Sequence, residues 1–342
     1  MAIKVNTKES QEWDKLVLGL GNASHYMQSS AWGESKGHSQ WPVSKIIVQS
    51  KSKTLPVQVF SRTVPGLGRL HYAPEVAGVN KGVIPDLTKS VRKHYSKGLA
   101  FKVELYQPFS EDLITAFEAN GWIRGNSVQY RNTVIVDLGG TTKDMFARMK
   151  RRARYEVGLA QRSGVKVEKV DVTQKNLNTL ASLMDLTAKR SGAFFRQPSY
   201  SNKYWHAFNG NNQGSIYFAR HGNDLLAGAF VITFGKCAWY KDGGSDRKKS
   251  NLMAPRLLQW DIMCDLQTQG LKQYDLSGIP ALEDLETSSL KGLYTFKTGF
   301  SNDTVRLMPA MELPFGKRYA IWPKAEHQFL RLYSGLKKDF WY

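Results

Sequence analysis

The sequence predicts a mixed α/β, or α+β, protein of two domains, and three observations carry that expectation. Short alternating apolar runs and longer helical patterns interleave along the whole chain, so neither an all-helical nor an all-strand architecture fits. At 342 residues the chain is about twice the usual single-domain length, and its 42% hydrophobic residues suffice for two cores. After Gly121-Trp122 the pattern of strands and helices begins a second time.

In the first third, residues 8–19 form a helical opening, and the apolar runs 44–49 and 55–62 alternate as strands do. Pro65-Gly66-Leu67-Gly68 is a turn, residues 103–106 read as a strand stopping before Pro108, and residues 112–120 as a helix. The second block opens with a strand at 132–137, a Gly139-Gly140-Thr141-Thr142 turn, and one basic helix over 143–163 closed by Gly164. A strand at 165–170, a helix at 174–191, another after Pro198, a hairpin over 215–240 and a long helix over 254–269 follow. A strand at 273–276 then leads into Ser277-Gly278-Ile279-Pro280. Beyond Asp303, aromatic residues from Phe315 to Tyr342 recur at helical spacing, which predicts a C-terminal helix burying its apolar face on the first domain. The expected domains are residues 1–130 plus 304–342 and residues 131–303, and the similar order of elements in the two suggests a duplicated fold.

Charge gives the first functional hint. Forty-eight Lys and Arg against 29 Asp and Glu leave a net +19, more than solubility requires. Nucleic acid, an acidic membrane face or a diphosphate-bearing substrate would each gain from that field, and a basic, well-solvated surface is the plain alternative. The longest apolar run, residues 225–234, is short of the roughly 18 residues that cross a bilayer, and the start lacks a signal-peptide core, so a cytoplasmic protein is expected. Cys237 and Cys264 stand apart, with no nearby Cys/His cluster, which predicts reduced thiols and no structural zinc.

Four stretches could carry chemistry. The basic helix holds Arg148, Lys150, Arg151, Arg152, Arg154 and Arg162, and since these spread round it, part of the set must meet solvent or phosphate. Arg196 with Tyr200, in a segment of arginines and aromatics beside Gly192 and Pro198, suits a phosphate or carboxylate gripped by a planar fork and a phenol; a helix-capping Arg is the other reading. Tyr240 to Ser245, with two glycines ahead of a helix carrying Pro255 in its first turn, reads as an anion-holding loop or a plain hairpin turn. It lacks both the Walker and the dinucleotide glycine patterns. Finally, Tyr294-Thr295-Phe296-Lys297-Thr298-Gly299-Phe300 hems a lysine with aromatics. Its ammonium could stabilise the oxyanion formed when an amine attacks an ester, an effect worth roughly 3 to 4 kcal/mol in measured oxyanion holes. Alternatively its stem lies along Phe300. No Ser-His-Asp order or HExxH stands out among the seven histidines, which weakens hydrolase and metalloenzyme readings.

Taken in order, Met27 to Gly37, His71-Tyr72-Ala73-Pro74, Arg151 to Val165, Arg196 with Tyr200, Tyr240 to Ser245, Asn251 to Pro255, Asp275 to Gly278 and Phe296 to Phe300 resemble the Fem (FemABX) family. These are non-ribosomal peptidyltransferases that use aminoacyl-tRNA to build peptidoglycan interpeptide bridges and consist of two tandem GNAT-like domains. The resemblance implies that the first domain binds the precursor and the second is the transferase and faces the tRNA. It implies that Lys36, Arg196 and Tyr200 bind the diphosphate and sugar end of the precursor, that Tyr240 is a further substrate contact, and that Lys297 with Phe296 steadies the tetrahedral intermediate. Glu104, ending a first-domain strand, is similar in place to an acidic residue near the acceptor amine. Arg148, Arg151, Arg152 and Arg154 are the implied tRNA contacts, since the chain has no heptad run long enough for the coiled-coil arm of some members.

The implied reaction is attack by a stem-peptide amine on the ester of an aminoacyl-tRNA. The amine must first lose its proton, to Glu104 or by substrate-assisted transfer. The acceptor is UDP-MurNAc-pentapeptide or its lipid-linked form, which brings the protein to the inner membrane face as a peripheral monomer; no metal or cofactor is needed. Two other readings stand beside this one. An acyl-CoA-dependent N-acyltransferase would need a Q/R-x-x-G-x-G/A loop, of which Arg154 to Ala160 is one residue too long. A non-catalytic RNA- or precursor-binding protein would use the basic face alone.

Overall fold

The computed structural model describes residues 7–21, 24–37, 41–51, 53–191, 198–337 and 340–342. The chain divides into two compact units, Met1–Arg131 with Arg306–Tyr342, and Asn132–Val305.

The first unit opens with helices α1 (Thr7–Leu18) and α2 (Ser30–Gly37), then strands β1 (Val43–Gln49), β2 (Thr54–Val64) and β3 (Gly68–Val76). Helix α3 (Ile84–Tyr95), strand β4 (Ala100–Leu105), helix α4 (Glu111–Glu118) and strand β5 (Ile123–Arg124) follow. In the second unit come β6 (Asn132–Asp137), α5 (Thr142–Arg148), α6 (Arg151–Arg162), β7 (Lys166–Val170), α7 (Gln174–Ser191) and α8 (Pro198–Gly210). The meander β8 (Gly214–His221), β9 (Asp224–Phe234) and β10 (Cys237–Ser245) precedes α9 (Ala254–Thr268), β11 (Gln273–Gly278), α10 (Lys291–Lys297) and β12 (Thr304–Arg306). The chain then returns to the first unit as β13 (Met311–Pro314) and α11 (Trp322–Lys337).

Each unit is built on a mixed sheet that contains a parallel pair. The first has the order β1-β2-β3-β4-β13-β5, the second β12-β6-β11-β10-β9-β8-β7. In both, three antiparallel strands are followed by a helical crossover to a parallel neighbour: β3 to β4 through α3, and β10 to β11 through α9. The next strand closes antiparallel, β13 on β4 and β6 on β11. This shared run is the structural basis of the repeated element order. Burial follows the apolar pattern: Val57, Val59, Phe101, Val103, Leu87 and Val91 fill the first core, and Val134, Tyr217, Val231, Ile262 and Tyr274 the second.

The C-terminal aromatics are buried in part, with Phe329 and Tyr333 half-buried and Phe340 exposed. Trp322, Trp341 and Tyr342 are buried, and the Trp41 indole donates to the Trp341 carbonyl at 2.9 Å. Lys102, fully buried on β4, pairs with Glu312 at 2.9 Å and Glu326 at 2.7 Å, and Tyr342 donates to Glu326 at 2.6 Å. A lone buried cation would be prohibitive; two carboxylates make this one an anchor for α11.

Four expectations are corrected. Strand β3 and helix α3 stand where none were anticipated, although Ile84, Leu87, Val91 and Tyr95 mark the buried face of α3 and Pro85 fits its first turn. The predicted hairpin over 215–240 is a three-stranded meander, turned by Gly222 at φ 58° and Gly235 at φ 62°. The single basic helix is two. Met149 and Lys150 are extended, Met149 is buried, and the Lys150 amide donates to the Gly299 carbonyl at 3.0 Å, so tertiary contact overrides helix propensity. The Tyr240 to Ser245 stretch is neither loop nor turn but the end of β10, with a bulge between Tyr240 and Asp242. Its glycines serve close packing: a Cβ on Gly244 would lie 2.3 Å from the Leu183 backbone of α7.

Candidate active site

The chemistry-bearing residues of the second unit meet where β6, β11 and β10 lie side by side. Asp275, buried on β11, accepts hydrogen bonds from the Thr133 hydroxyl of β6 and, at 2.6 Å, from the amide of Ser277. Ser277 sits at φ 63°, a left-handed conformation that costs a non-glycine residue of order 1 kcal/mol or more and persists only when its surroundings demand it. Here its hydroxyl donates to the Tyr240 carbonyl of β10 at 2.8 Å while its amide is held by Asp275.

The turn so formed presents two carbonyls to Lys297, the last residue of α10. The ammonium donates to Ser277 O at 3.2 Å and to Gly278 O at 2.8 Å. Lys297 is only 5% exposed, and burial pulls its pKa down to about 8, with the nearby Asp275 charge opposing. At neutral pH the group is therefore still mostly an ammonium, held at two of its three N–H bonds. Among the described residues no third acceptor is present.

Arg256, in the first turn of α9, braces the same helix from the other side. Its Nε donates to Glu156 at 2.8 Å and its Nη1 to the Phe296 carbonyl at 2.6 Å. The guanidinium lies 4.6 Å from the Phe296 ring centre and 4.7 Å from that of Phe300, within cation–π range of both. Gly299 leaves room for this contact, because a Cβ there would come within 2.4 Å of Nη1 and push the guanidinium from its place. Sequence reasoning passed over Arg256; the signal available was a basic residue early in an otherwise buried helix.

The other expected site residues fall as follows. Tyr240 is tied to the Lys297 turn through its carbonyl, and its phenol packs over Gly243; burial first, and Asp242 second, push its pKa up. Tyr200 on α8 packs edge-on against Tyr204 at 5.8 Å, and Tyr204 donates to Asp242 at the β10 bulge at 2.6 Å, so Tyr200 reaches that bulge only through Tyr204. Arg196 lies outside the described residues.

In the first unit, Lys36 lies in the last turn of α2 with its ammonium 5.6 Å from the Trp32 ring. Glu104 is buried on β4 and already engaged: it accepts from Tyr72, from the Val128 amide at 2.7 Å and from the Gln129 amide at 3.1 Å. Burial raises its pKa, with the Tyr72 hydrogen bond as the largest opposing effect.

The basic segment separates by contact. Arg148 donates to the carbonyls of Asp137 and Gly139 at 2.9 and 2.7 Å and so ties the end of α5 back to the β6–α5 turn, whereas Arg154 donates to those of Ala147 and Met149 and closes the α5–α6 junction. Arg152 pairs with Glu156 at 2.8 Å, while Lys150, Arg151 and Tyr155 are exposed. Both α10 and the start of α6 are held to one another, through Lys150 N to Gly299 O at 3.0 Å and through Arg256 between Glu156 and Phe296.

Comparison with known proteins adds the following. A family model described as "FemAB family" matches residues 115–220 and 213–326, more than half of the chain. The lipid II:glycine glycyltransferase of Staphylococcus haemolyticus is 20% identical over 376 residues, covering 84% of this chain and 87% of that protein. The protein of the same name from Staphylococcus epidermidis is 25% identical over 228 residues, covering 62% of this chain and 54% of its own. Among solved structures, the crystal structure of FemX matches 95% of this chain and 100% of its own with a TM-score of 0.81 at 18% identity. A tandem GNAT protein from the clavulanic acid biosynthesis pathway matches 93% of this chain and 98% of its own with a TM-score of 0.50 at 12% identity. At these identities the structural likeness is one of fold, and that fold is two mixed sheets of GNAT-like type in tandem.

Proposed function

The chain belongs to the FemAB family, and from that premise we propose that it is an aminoacyltransferase of peptidoglycan bridge formation, the class for which its glycyltransferase relatives are named. We further propose aminoacyl-tRNA as donor and a stem-peptide amine of the nucleotide- or lipid-linked precursor as acceptor.

One observation carries the mechanism: the Lys297 ammonium, buried and held at two carbonyls, keeps an N–H for a further acceptor. In the proposed step the neutral amine attacks the ester carbonyl carbon, and the carbonyl π pair moves to oxygen. That oxyanion accepts the third N–H of Lys297, in a site dry enough to strengthen the interaction. Collapse expels the ribose oxygen of the tRNA, which takes the proton lost by the amine; a peptide bond forms and free tRNA leaves. Because the ester is already activated, no redox or phosphoryl chemistry is required of the protein.

In the second unit Tyr200, Tyr240 and Arg196 are proposed precursor contacts, and in the first unit Lys36 is another. Lys150, Arg151 and Arg152 at the head of α6 are the proposed tRNA contacts, supported by the hydrogen bond that ties this helix start to Gly299, two residues beyond Lys297. Glu104, whose oxygens already hold Tyr72 and the 128–129 amides, is proposed to position that segment; substrate-assisted transfer then moves the proton. The acyl-CoA reading loses its one motif, since Arg154 to Ala160 lies wholly inside α6 and opens no loop.

The test supplies purified protein with mixed aminoacyl-tRNA and both acceptors, and identifies products by mass spectrometry. A new amide on either acceptor is expected, formed about 10²- to 10³-fold more slowly by Lys297→Met with tRNA binding retained. No transfer from any aminoacyl-tRNA to either acceptor would remove the reading, and product from acetyl-CoA alone would replace it.

A further inference from the structure

Helix α11 is wider in its apolar arc than the first unit can cover. One side buries Trp322 and Glu326, yet Leu332 and Leu336, one turn apart, are 66% and 81% exposed, and Ile321, just before the helix, is 54% exposed. Ile321, Leu332 and Leu336 fall at i, i+11 and i+15, which places them along one stripe of a helical surface. Around that stripe, Lys317, Arg318, Lys324, Arg331 and Lys337 are all exposed, and none has an acidic partner among the described residues. Glu326, the acid within α11, is buried against Lys102.

We propose that this face of α11 rests on an anionic phospholipid bilayer. Charge complementarity selects that occupant. An exposed leucine pair gains by leaving water for the boundary between headgroups and acyl chains, while unpaired Lys and Arg beside it meet lipid phosphates; an amphipathic cationic helix does both at once. Nucleic acid would reward the cations but leave Leu332 and Leu336 in water. A protein partner would need acids on its own face, for which this chain gives no template. Among the described residues no helix is long and apolar enough to cross the membrane, so the contact is peripheral. The anchor of α11 is firm enough to bear load, since Lys102, Glu326 and Tyr342 tie it to the sheet. This inference concerns binding and stands apart from the reaction proposed above.

Flotation of the full chain with vesicles tests it, using phosphatidylcholine alone and phosphatidylcholine with phosphatidylglycerol. The wild-type chain is expected to float with the anionic vesicles and not with the neutral ones. The double variant Leu332→Glu/Leu336→Glu should lose more than about tenfold in partitioning, and so should Lys324→Glu/Arg331→Glu. Each should keep the wild-type melting temperature, since these side chains lie outside the core. The proposal is overturned if the wild type fails to float on anionic vesicles, or if the leucine variant floats as the wild type does, which would leave only diffuse basic attraction. It is equally overturned if the wild type is a dimer that the leucine variant dissolves, which would make this face a contact between two copies.

Discussion

Arg256 holds Phe296 at two points, donating to its carbonyl at 2.6 Å and lying 4.6 Å from the centre of its ring. Lys297 follows immediately, so the backbone that aims its ammonium is clamped by a cation on α9 rather than by α10 itself. A seven-residue helix is marginal alone. Glu156 on α6 completes the brace, at 2.8 Å from Nε, and Arg152 shares that carboxylate.

If Arg256 positions Lys297, its conservative replacement should act on turnover more than on binding. Arg256→Lys keeps the charge and loses the fork that reaches Glu156 and Phe296 O together. An ångström of misplacement at the reacting centre costs about a hundredfold, so kcat is expected to fall about 10- to 100-fold, with KM for both substrates within about threefold. Arg256→Met should also destabilise, by about 3 kcal/mol in urea denaturation, because Glu156 stays buried with Arg152 alone. Wild-type kcat in Arg256→Lys would show that the brace serves stability only.

The pKa of Lys297 gives a pH signature with a definite sign. The ammonium is the working form, and in the folded protein it loses its proton near pH 8, because burial disfavours charge. The attacking amine works in the opposite sense, gaining nucleophilicity as pH rises toward its ordinary value of about 10.4. The rate should therefore climb from neutral pH and turn down above about pH 8. Lys297→Arg, which stays charged, should lose the alkaline limb even though its rate is lower, and Lys297→Met should lose about 10²- to 10³-fold in kcat. Stability moves the other way. Between the folded value of about 8 and the unfolded value of 10.5 the unfolded chain holds more protons, so the wild type gains stability as pH rises through that window. At pH 7 Lys297→Met should melt higher than the wild type, by the equivalent of about 1 to 3 kcal/mol. An alkaline limb unchanged in Lys297→Arg would detach the profile from this residue.

Much of this fold was legible because burial and periodicity coincide. The apolar runs 44–49 and 55–62 mark β1 and β2, although β2 is buried on both faces from Leu55 to Ser61 rather than on one, and Trp322, Trp341 and Tyr342 of the aromatic C-terminal segment are buried in the first unit. The setting of Lys297 among aromatics is visible in the sequence, and the structure adds its burial and its two carbonyl partners. What the sequence could not display is contact between distant positions: Arg256 is defined by Glu156 and Phe296, and the break at Met149 by an amide bonded to Gly299. The same holds for Gly243 and Gly244. As local signals two glycines mean a turn, but here they let Tyr240 and α7 approach a continuous strand.

That difference is measurable at Gly244. In a solvent-facing loop Ala would be harmless, or slightly stabilising through the unfolded chain. On β10 its Cβ would fall 2.3 Å from the backbone of Leu183, so α7 must move. Gly244→Ala is expected to cost about 1 to 3 kcal/mol or more by chemical denaturation. A neutral result would mean that α7 is free to shift off the sheet.

The arginines of α5 and α6 offer the sharpest separation of structure from binding. Arg154 is a staple across the helix break, donating to Ala147 O at 3.0 Å and also to Met149 O, whereas Arg151, three residues earlier, is exposed and carries no such bond. A side chain that neutralises a nucleic-acid phosphate releases counterions, so its loss lowers the slope of log affinity against log salt by about 1. Arg151→Ala should therefore weaken tRNA binding with that change in slope and leave the melting temperature within error. Arg154→Met should do the reverse, losing about 1 kcal/mol of stability as carbonyls at the junction lose their donor, with the salt slope unchanged. Filter binding across a salt series, with melting curves on the same samples, reads both. Equal slopes for Arg151→Ala and the wild type would move the tRNA contact away from the head of α6, whose Lys150 amide is bonded to Gly299, two residues beyond Lys297.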